Sequence, residues 1–176
     1  PLTNIAKVIK KYKQDFTRKV AGVVMMGGGI KRGNVPPLKL AEYNIWIDPE
    51  AANIVFSSGI QITMVGIDAT SFVPATKNFK EKVKKIIPNT TEGRIIKEII
   101  LNNQSDFDAF YDPLAAFIFL DSSIIERKII SSVAVSLSKE NLGQTILKDK
   151  GRKNVTVVMK VNSQIFYRQI LNLLGK

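Results

Sequence analysis

Apolar residues along this chain alternate between helical spacing and short continuous runs. Apolar positions at helical spacing predict an amphipathic helix from about Thr3 to Tyr12. The segment Val20–Met26 is apolar throughout and ends at three consecutive glycines, which is typical of a buried parallel strand that leads into a loop. The segment Ile60–Ile67 repeats this pattern and ends at Asp68. Two buried strands of a parallel sheet are therefore predicted.

Helix-start signals and further apolar segments fill the rest of the chain. Asp48 followed by Pro49 predicts an N-cap and first helical residue, with the helix ending near Gly59. Asp112-Pro113 repeats this pattern, so Asp112 is also expected to cap a helix. The pattern further predicts helices over about Thr76–Ile87, Thr90–Leu101 and Gln164–Leu174, strands and turns over Ile124–Lys148, and a strand over Val155–Val161.

Alternating strands and helices, with continuously apolar early strands, predict an α/β fold with a mainly parallel central sheet flanked by helices. In such sheets, ligands bind at the carboxyl ends of the strands. The polar residues that follow Val20–Met26 and Ile60–Ile67 are therefore the first place to look for a site. A length of 176 residues predicts a single domain, 1–176.

Composition narrows the chemistry that this chain can perform. It has no cysteine and no histidine, which excludes a disulfide framework, a Ser-His-Asp triad and a histidine zinc site within the chain. Chemistry must use carboxylates, hydroxyls, amides, lysine, tyrosine or a metal bound by oxygen. No apolar run reaches the roughly 20 residues of a membrane span. We therefore expect no membrane partner and a cytoplasmic location.

The net charge of +11 has three interpretations. A lysine-rich solvated surface is favoured, because the lysines are scattered and no long basic run is interleaved with aromatic residues. A basic nucleic-acid-binding module is the less favoured alternative. The third interpretation is that an acidic portion of the domain lies outside this chain, which begins without an initiator methionine or a signal peptide.

Three segments contain candidate site residues. Gly27-Gly28-Gly29 with Gly33 has the glycine spacing of a phosphate loop, but Asn34 stands where lysine is required, so a turn that lets a substrate approach the backbone is favoured. If the segment before Asp48 is extended, Glu42 and Asn44 lie on one face, where a carboxylate and a carboxamide can bind neighbouring hydroxyls of a sugar. Two exposed loop residues remain the alternative.

The third segment surrounds Asp112, for which a helix cap is again the alternative to a functional role. The nearby Asp106 and Asp108 lack the glycine and closing glutamate of an EF-hand loop and are predicted to be loop residues.

Taken in order, several motifs resemble the inosine-uridine preferring nucleoside hydrolase family, the calcium-dependent nucleoside N-ribohydrolases. The start of the chain is similar to the family's Gly-Pro-Leu-Thr-Asn-Ile-Ala stretch without its first glycine. The resemblance covers most of the chain, is weakest after about Ile124, and implies that the chain is the C-terminal part of the domain, without its N-terminal strands. The matching segments are Pro1–Ala6, Val24–Gly28, Gly33–Asn34, Ala41–Asn44, Asp48–Ala52, Thr63–Asp68 and Tyr111–Ala115.

The resemblance implies hydrolysis of the N-glycosidic bond of ribonucleosides in salvage, by an enzyme whose whole form is a homo-oligomer. It implies Ca²⁺ ligands at the backbone carbonyl of Thr3 and at Asp112. It also implies that residues matching Asn34, Glu42 and Asn44 hold ribose hydroxyls while the one matching Met26 lies against the sugar. Such a pocket would stabilise an oxocarbenium-like ribose.

This chain departs from the family pattern at three points. It lacks the N-terminal Asp-x-Asp-x-Gly-x-Asp-Asp motif, so its calcium site is expected to be incomplete and the chain alone inactive. The gap between Asn34 and Glu42 is longer than the family pattern, which weakens the transfer of a role to Asn34. Tyr111 stands where many members carry the histidine that protonates the leaving base. Tyrosine, with an ordinary pKa of about 10, suits contact with the base better than acid catalysis.

The sequence leaves three hypotheses for the function of this chain: a nucleoside hydrolase domain, a catalytically dead remnant of that family, and a basic nucleic-acid-binding module. An upstream acidic motif would separate the first from the second. Steeply salt-dependent DNA binding would support the third.

Overall fold

The computed structural model describes residues 1–102 and 109–175; Asp106 and Asp108, predicted to be loop residues, lie outside them. Eight α-helices and five strands lie in the described ranges. The helices are α1 Thr3–Thr17, α2 Tyr43–Trp46, α3 Pro49–Ser57, α4 Ile67–Thr70, α5 Lys77–Ile86, α6 Thr91–Lys97, α7 Tyr111–Leu120 and α8 Ser163–Leu174. The strands are β1 Val23–Met26, β2 Ile62–Val65, β3 Ile125–Val135, β4 Thr145–Lys148 and β5 Val155–Val161.

The five strands form one sheet in the order β1-β2-β5-β3-β4. Strands β1, β2 and β5 are parallel, with Met26 beside Val65 and Val65 beside Val158. Strand β3 runs antiparallel to both β5 and β4. The predicted α/β fold with a mainly parallel central sheet is therefore confirmed. Its carboxyl edge is formed by the ends of β1 and β2.

Helices cover both faces of this sheet, and each face has its own apolar core. One core contains Val65 and Val158 of the sheet with residues of α5, α7 and α8, including Phe166, whose ring is fully buried. The other contains Met64 and Val157 with residues of α1 and α3. Because successive strand residues point to opposite faces, strands buried on both sides are apolar throughout. This explains the continuous apolar runs in the sequence.

The predicted helix starts are confirmed at three positions. Asp48 caps α3, with its Oδ1 accepting from the Ala51 amide at 3.0 Å and Pro49 as the first helical residue. Thr76 caps α5 through the Phe79 amide, and Thr90 caps α6 through the Gly93 amide. These short polar side chains satisfy amides that have no partner within the helix.

Other boundaries differ from the predictions. Strands β1 and β2 are shorter than Val20–Met26 and Ile60–Ile67. Helix α1 continues beyond Tyr12, although Lys13 has non-helical φ and ψ angles of 47° and −125° and interrupts it. The prediction that Asp112 caps a helix is wrong, because α7 already begins at Tyr111 and its N-cap is Phe110. Asp112 therefore lies in the first turn.

Helices α1 and α3 are linked by a hydrogen bond from the Thr3 hydroxyl to the Asp48 carboxylate. This bond, followed by the bond from the Ala51 amide, lowers the pKa of Asp48 below its ordinary value. The charged form of Asp48 is therefore favoured in the folded protein. Its contribution to stability is present above the pKa of the unfolded chain and is lost as the pH falls through the lower folded pKa.

We expect Asp48→Ala to lower the free energy of unfolding by about 1 kcal/mol at pH 7, the usual cost of losing an N-cap. The difference from the native chain should shrink as the pH falls from about 5 to below the folded pKa of Asp48. Urea unfolding at several pH values measures this, with Asp149→Ala at an exposed position as the control. A difference that stays constant with pH would contradict the assigned role of the carboxylate.

None of the helices in the described ranges combines the length and the apolarity that crossing a bilayer requires.

Candidate functional site

The loop that follows β1 lies at the carboxyl edge of the sheet. Its residues Gly27, Gly28 and Gly29 are buried against the end of β2. The Gly27 amide donates to the Val65 carbonyl at 3.2 Å, and the Ile67 amide donates to the Gly28 carbonyl at 2.9 Å. Gly28 has a φ of +78°, a left-handed conformation that favours glycine. We call residues 27–31 the glycine loop.

Glu42 fastens this loop from one side. Its side chain is almost fully buried, with 1% of the residue exposed. Its Oε2 atom accepts from the Gly28 amide at 2.8 Å, and its Oε1 atom accepts from the Asn44 amide at 3.0 Å. Oε2 also accepts from the Ile45 amide at 3.3 Å, so Glu42 is the N-cap of α2. Bonds from several amides stabilise a buried carboxylate, and here they tie the loop to α2.

Asp68 and Thr145 fasten the same loop from two other segments. Asp68, at the start of α4, accepts from the Ile30 amide at 2.6 Å and from the Lys31 amide at 3.2 Å. The Thr145 hydroxyl, at the start of β4, accepts from the Gly29 amide at 3.1 Å and donates to the Gly29 carbonyl at 2.8 Å. Both side chains are buried. Four consecutive loop amides therefore bond to side chains that are distant in sequence.

These bonds decide between the two interpretations of the glycine spacing. A phosphate loop needs free backbone amides that point at the anion. Here the amides of Gly28, Ile30 and Lys31 already donate to carboxylates. Two negative side chains would also repel a phosphate. The geometry fits a fixed turn beside a site and does not fit a phosphate loop.

Met26 and Asn44 meet next to this loop. The Asn44 Nδ2 atom lies 3.2 Å from the Met26 sulfur and 3.5 Å from the Met26 carbonyl oxygen. Both residues are half-buried. Since a thioether is a weak acceptor and the second distance is long, the Asn44 amide is held loosely. It can exchange these partners for a hydroxyl group of a ligand.

Asn34 joins this group through the backbone. Its Oδ1 atom accepts from the Tyr43 amide at 2.8 Å, between Glu42 and Asn44 in sequence. Asn34 is exposed. Met26, Asn34, Glu42 and Asn44 are therefore brought together at the carboxyl end of β1.

The prediction that Glu42 and Asn44 share one face of an extended segment is wrong. Asn44 lies in helix α2, and only Glu42 has extended φ and ψ angles. The two residues are adjacent because the Glu42 carboxylate turns back to cap the helix that contains Asn44.

Asp112 lies across a cleft from Met26. Residues of β1 form one wall, and residues along α7 from Asp112 to Leu120 form the other; Tyr111 is the half-buried first residue of α7. Thr3 is the first residue of α1, and its hydroxyl donates a hydrogen bond to the Asp48 carboxylate.

The calcium ligands that the resemblance implied do not form a complete site from this chain. Thr3 and Asp112 offer one carbonyl and one carboxylate, whereas calcium takes about six to eight oxygen ligands. Within residues 1–102 and 109–175, there is no cluster of three or more acidic, histidine or cysteine side chains that could hold a metal. These donors alone do not fit a calcium ion.

Asp68 and Thr145 were not singled out from the sequence. The role of Asp68 could have been suspected from the sequence, because Asp68 is a polar residue directly after a buried strand, where ligands bind in α/β sheets. No sequence pattern points to Thr145, since its partner Gly29 is 116 residues away.

Comparison with known proteins identifies the relatives of this chain. The family model described as inosine-uridine preferring nucleoside hydrolase matches residues 1–168. An inosine-uridine preferring nucleoside hydrolase from Crithidia fasciculata is 31% identical over 187 aligned residues, covering 99% of this chain and 58% of that protein. A protein of Dictyostelium discoideum described as a probable ribonucleoside hydrolase is 32% identical, covering 97% of this chain and 54% of that protein.

Solved structures agree with these relatives. The purine-preferring ribonucleoside hydrolase from Gardnerella vaginalis superimposes with a TM-score of 0.83 at 25% identity, covering 99% of this chain and 58% of that one. The chain thus spans little more than half the length of the proteins that it matches. On the match over residues 1–168, the chain belongs to the inosine-uridine preferring nucleoside hydrolase family.

Proposed function

We propose that this chain provides the ribose-binding part of an enzyme that hydrolyses the N-glycosidic bond of ribonucleosides. The observation that carries the proposal is the hydrogen-bonded group of Met26, Glu42 and Asn44 at the carboxyl end of β1. Met26 of this group and Asp112 line the same cleft. Family membership supports the same reaction, as do the names of the relatives.

The polar atoms of this group suit a sugar that carries several hydroxyls. Asn44 can release its weak contacts with Met26 and bond a hydroxyl instead. Asn34 uses only its Oδ1 atom on the Tyr43 amide, so its Nδ2 group is available to donate. The Oε1 atom of Glu42 accepts one backbone bond and has a second lone pair for a hydroxyl. The apolar side chain of Met26 would lie against the ribose ring.

In the reaction, the bond between the ribose carbon and the base nitrogen breaks, and the oxygen of a water molecule bonds to that carbon. The ribose gains positive charge as the base leaves with the electron pair and receives a proton. The negative charge of Glu42 and the oxygen atoms of nearby amides favour this charge distribution. The residues of this chain therefore bind and orient the sugar.

For the whole protein we propose Ca²⁺ as cofactor, with the Thr3 carbonyl and Asp112 as the ligands from this chain and the others from outside it. We likewise propose a role in nucleoside salvage in the cytoplasm, because hydrolysis releases a reusable base and ribose, and a homo-oligomeric state. The family resemblance supports these proposals.

The test is hydrolysis of inosine and uridine by the full-length protein with excess calcium. Asn44→Ala should lower kcat/KM by about tenfold or more for both substrates, because the lost hydrogen bond involves the ribose that both share. Asn172→Ala, an exposed position on α8, is the matched control and should leave kcat/KM unchanged. No hydrolysis by the unmodified full-length protein would favour a catalytically dead remnant instead.

We also propose that Tyr111 contacts the leaving base and does not act as the general acid. Tyr111→Phe should change kcat by less than about threefold on inosine and uridine, because the ring that stacks on the base is retained and only one hydrogen bond is lost. Tyr111→Ala, which removes the ring, should raise KM. If Tyr111→Phe instead slowed turnover by roughly 100-fold or more, the size of a general acid's contribution, this role would be contradicted.

A further inference from the structure

We infer that Asp68 and Thr145 are positioning residues for the proposed hydrolysis, because they hold the glycine loop in the conformation that fixes Met26, Glu42 and Asn44. The inference rests on the proposed function. Neither residue lines the cleft between β1 and α7, and both bond to the backbone of the loop.

The glycine loop is held by side chains from three separate segments of the chain. Glu42 bonds the Gly28 amide, Thr145 bonds both polar backbone groups of Gly29, and Asp68 bonds the amides of the next two residues. The three side chains come from the segment before α2, from β4 and from α4. The amide of every residue from Gly28 to Lys31 is thereby bonded to one of these side chains.

The glycine loop is connected to the sugar-binding group through Met26 and Glu42. Met26 directly precedes the loop, and the Met26 carbonyl and sulfur are the atoms that Asn44 contacts. Glu42 uses one carboxylate oxygen on Gly28 and the other on the Asn44 amide. A shift of Gly28 or Gly29 would therefore move Glu42, and with it the helix that carries Asn44.

The glycine loop is closely packed against its surroundings. A Cβ atom at Gly66 would lie 2.4 Å from the Gly28 carbonyl oxygen, and one at Gly28 would lie 3.0 Å from the Met64 sulfur and 3.2 Å from the Thr145 Cγ2 atom. The loop is enclosed by the end of β2 and by Thr145. Because substrate-binding groups must be held to within a fraction of an ångström, such enclosure is what a preorganised site requires.

Two substitutions at Thr145 separate a hydrogen-bonding role from a packing role. Thr145→Val keeps the branched shape and loses both bonds to Gly29, whereas Thr145→Ser keeps the hydroxyl and loses the methyl group. If Thr145 positions the loop, Thr145→Val should slow turnover of inosine and uridine alike by about 10- to 100-fold, and Thr145→Ser should retain most of the rate. If Thr145 serves only packing, the order of the two variants should reverse.

Asp68 is tested in the same way in the full-length protein. Asp68→Asn keeps the size but places an NH₂ group against one of the two loop amides, so kcat should fall by a similar factor. Amide hydrogen exchange of Ile30 and Lys31 should become faster, while amides of β5 remain protected. Thr63→Val, at a half-buried position of β2, is the control and should change neither quantity.

The outcomes distinguish this inference from the proposed function. If the unmodified full-length protein hydrolyses neither nucleoside, the proposed function fails and the positioning role fails with it. If that protein is active and Thr145→Val and Asp68→Asn turn over as fast as it does, the positioning role alone is overturned. A slower turnover in both variants, with recovery in Thr145→Ser, supports it.

Discussion

The 176-residue chain by itself is expected to hydrolyse inosine and uridine at least about 100-fold more slowly than a form extended upstream to include an Asp-x-Asp-x-Gly-x-Asp-Asp motif. Thr3 and Asp112 are the only calcium ligands implied for this chain, and calcium requires several more oxygen atoms. The family resemblance also implies that an aspartate of that motif accepts a proton from the attacking water. The isolated chain should accordingly bind calcium weakly.

Release of ribose from each nucleoside, with excess calcium and with a chelator, measures the first expectation, and calorimetric titration with calcium measures the second. Calcium-dependent hydrolysis by the isolated chain at a rate similar to that of the extended form would contradict both. If neither form hydrolyses the nucleosides, a catalytically dead remnant is favoured, and Tyr111 is the first residue to test. Steeply salt-dependent DNA binding in the same preparations would support the basic nucleic-acid-binding module.

A large loss of folding stability is expected when Glu42 is substituted. Glu42→Gln should lower the free energy of unfolding by about 3 kcal/mol, because buried hydrogen bonds to a charged group are lost and an NH₂ group then faces a backbone amide. Both carboxylate oxygens accept from amides, so either orientation of the glutamine side chain opposes one of these donors. The corresponding fall in melting temperature is about 6 to 12 °C for a chain of this length.

Urea unfolding of the chain measures this loss. Glu140→Gln, at an exposed position, is the matched control and should change the free energy of unfolding by less than about 0.5 kcal/mol. Equal stabilities of Glu42→Gln and the control would mean that the carboxylate does not hold the glycine loop. The loss should also appear as faster exchange of the Gly28 amide, since this amide donates to the Glu42 carboxylate.

Several parts of the fold could be predicted because the physical cause is local. Asp48, Thr76 and Thr90 cap the helices that their sequence predicts, since a cap bonds an amide only three residues away. The apolar runs of β1 and β2 predicted packing on both faces of a sheet, and both strands contribute to both cores, although β1 lies at the sheet edge and is only partly buried. The ordered motifs were sufficient to indicate the family, and the match over residues 1–168 confirms it.

The remaining features depend on contacts between distant segments. Asp112, like Asp48, is followed by a proline, but it is not an N-cap, because α7 already begins one residue earlier, at Tyr111. Strand β1 begins only at Val23, where pairing with Ile62 of β2 starts, so its length is decided by its partner and not by its apolar run.

The sequence by itself determined the α/β class and the helix starts at Asp48, Thr76 and Thr90, because each of these depends on residues close together in the chain. The candidate ribose-binding residues were indicated by the ordered family motifs. The tertiary structure alone decided how that group is held. Glu42 reaches 14 residues back to Gly28, Asp68 reaches 38 residues back to Ile30, and Thr145 reaches 116 residues back to Gly29. No local pattern encodes such pairs, because they form only when the strands that carry them have taken their places in the sheet.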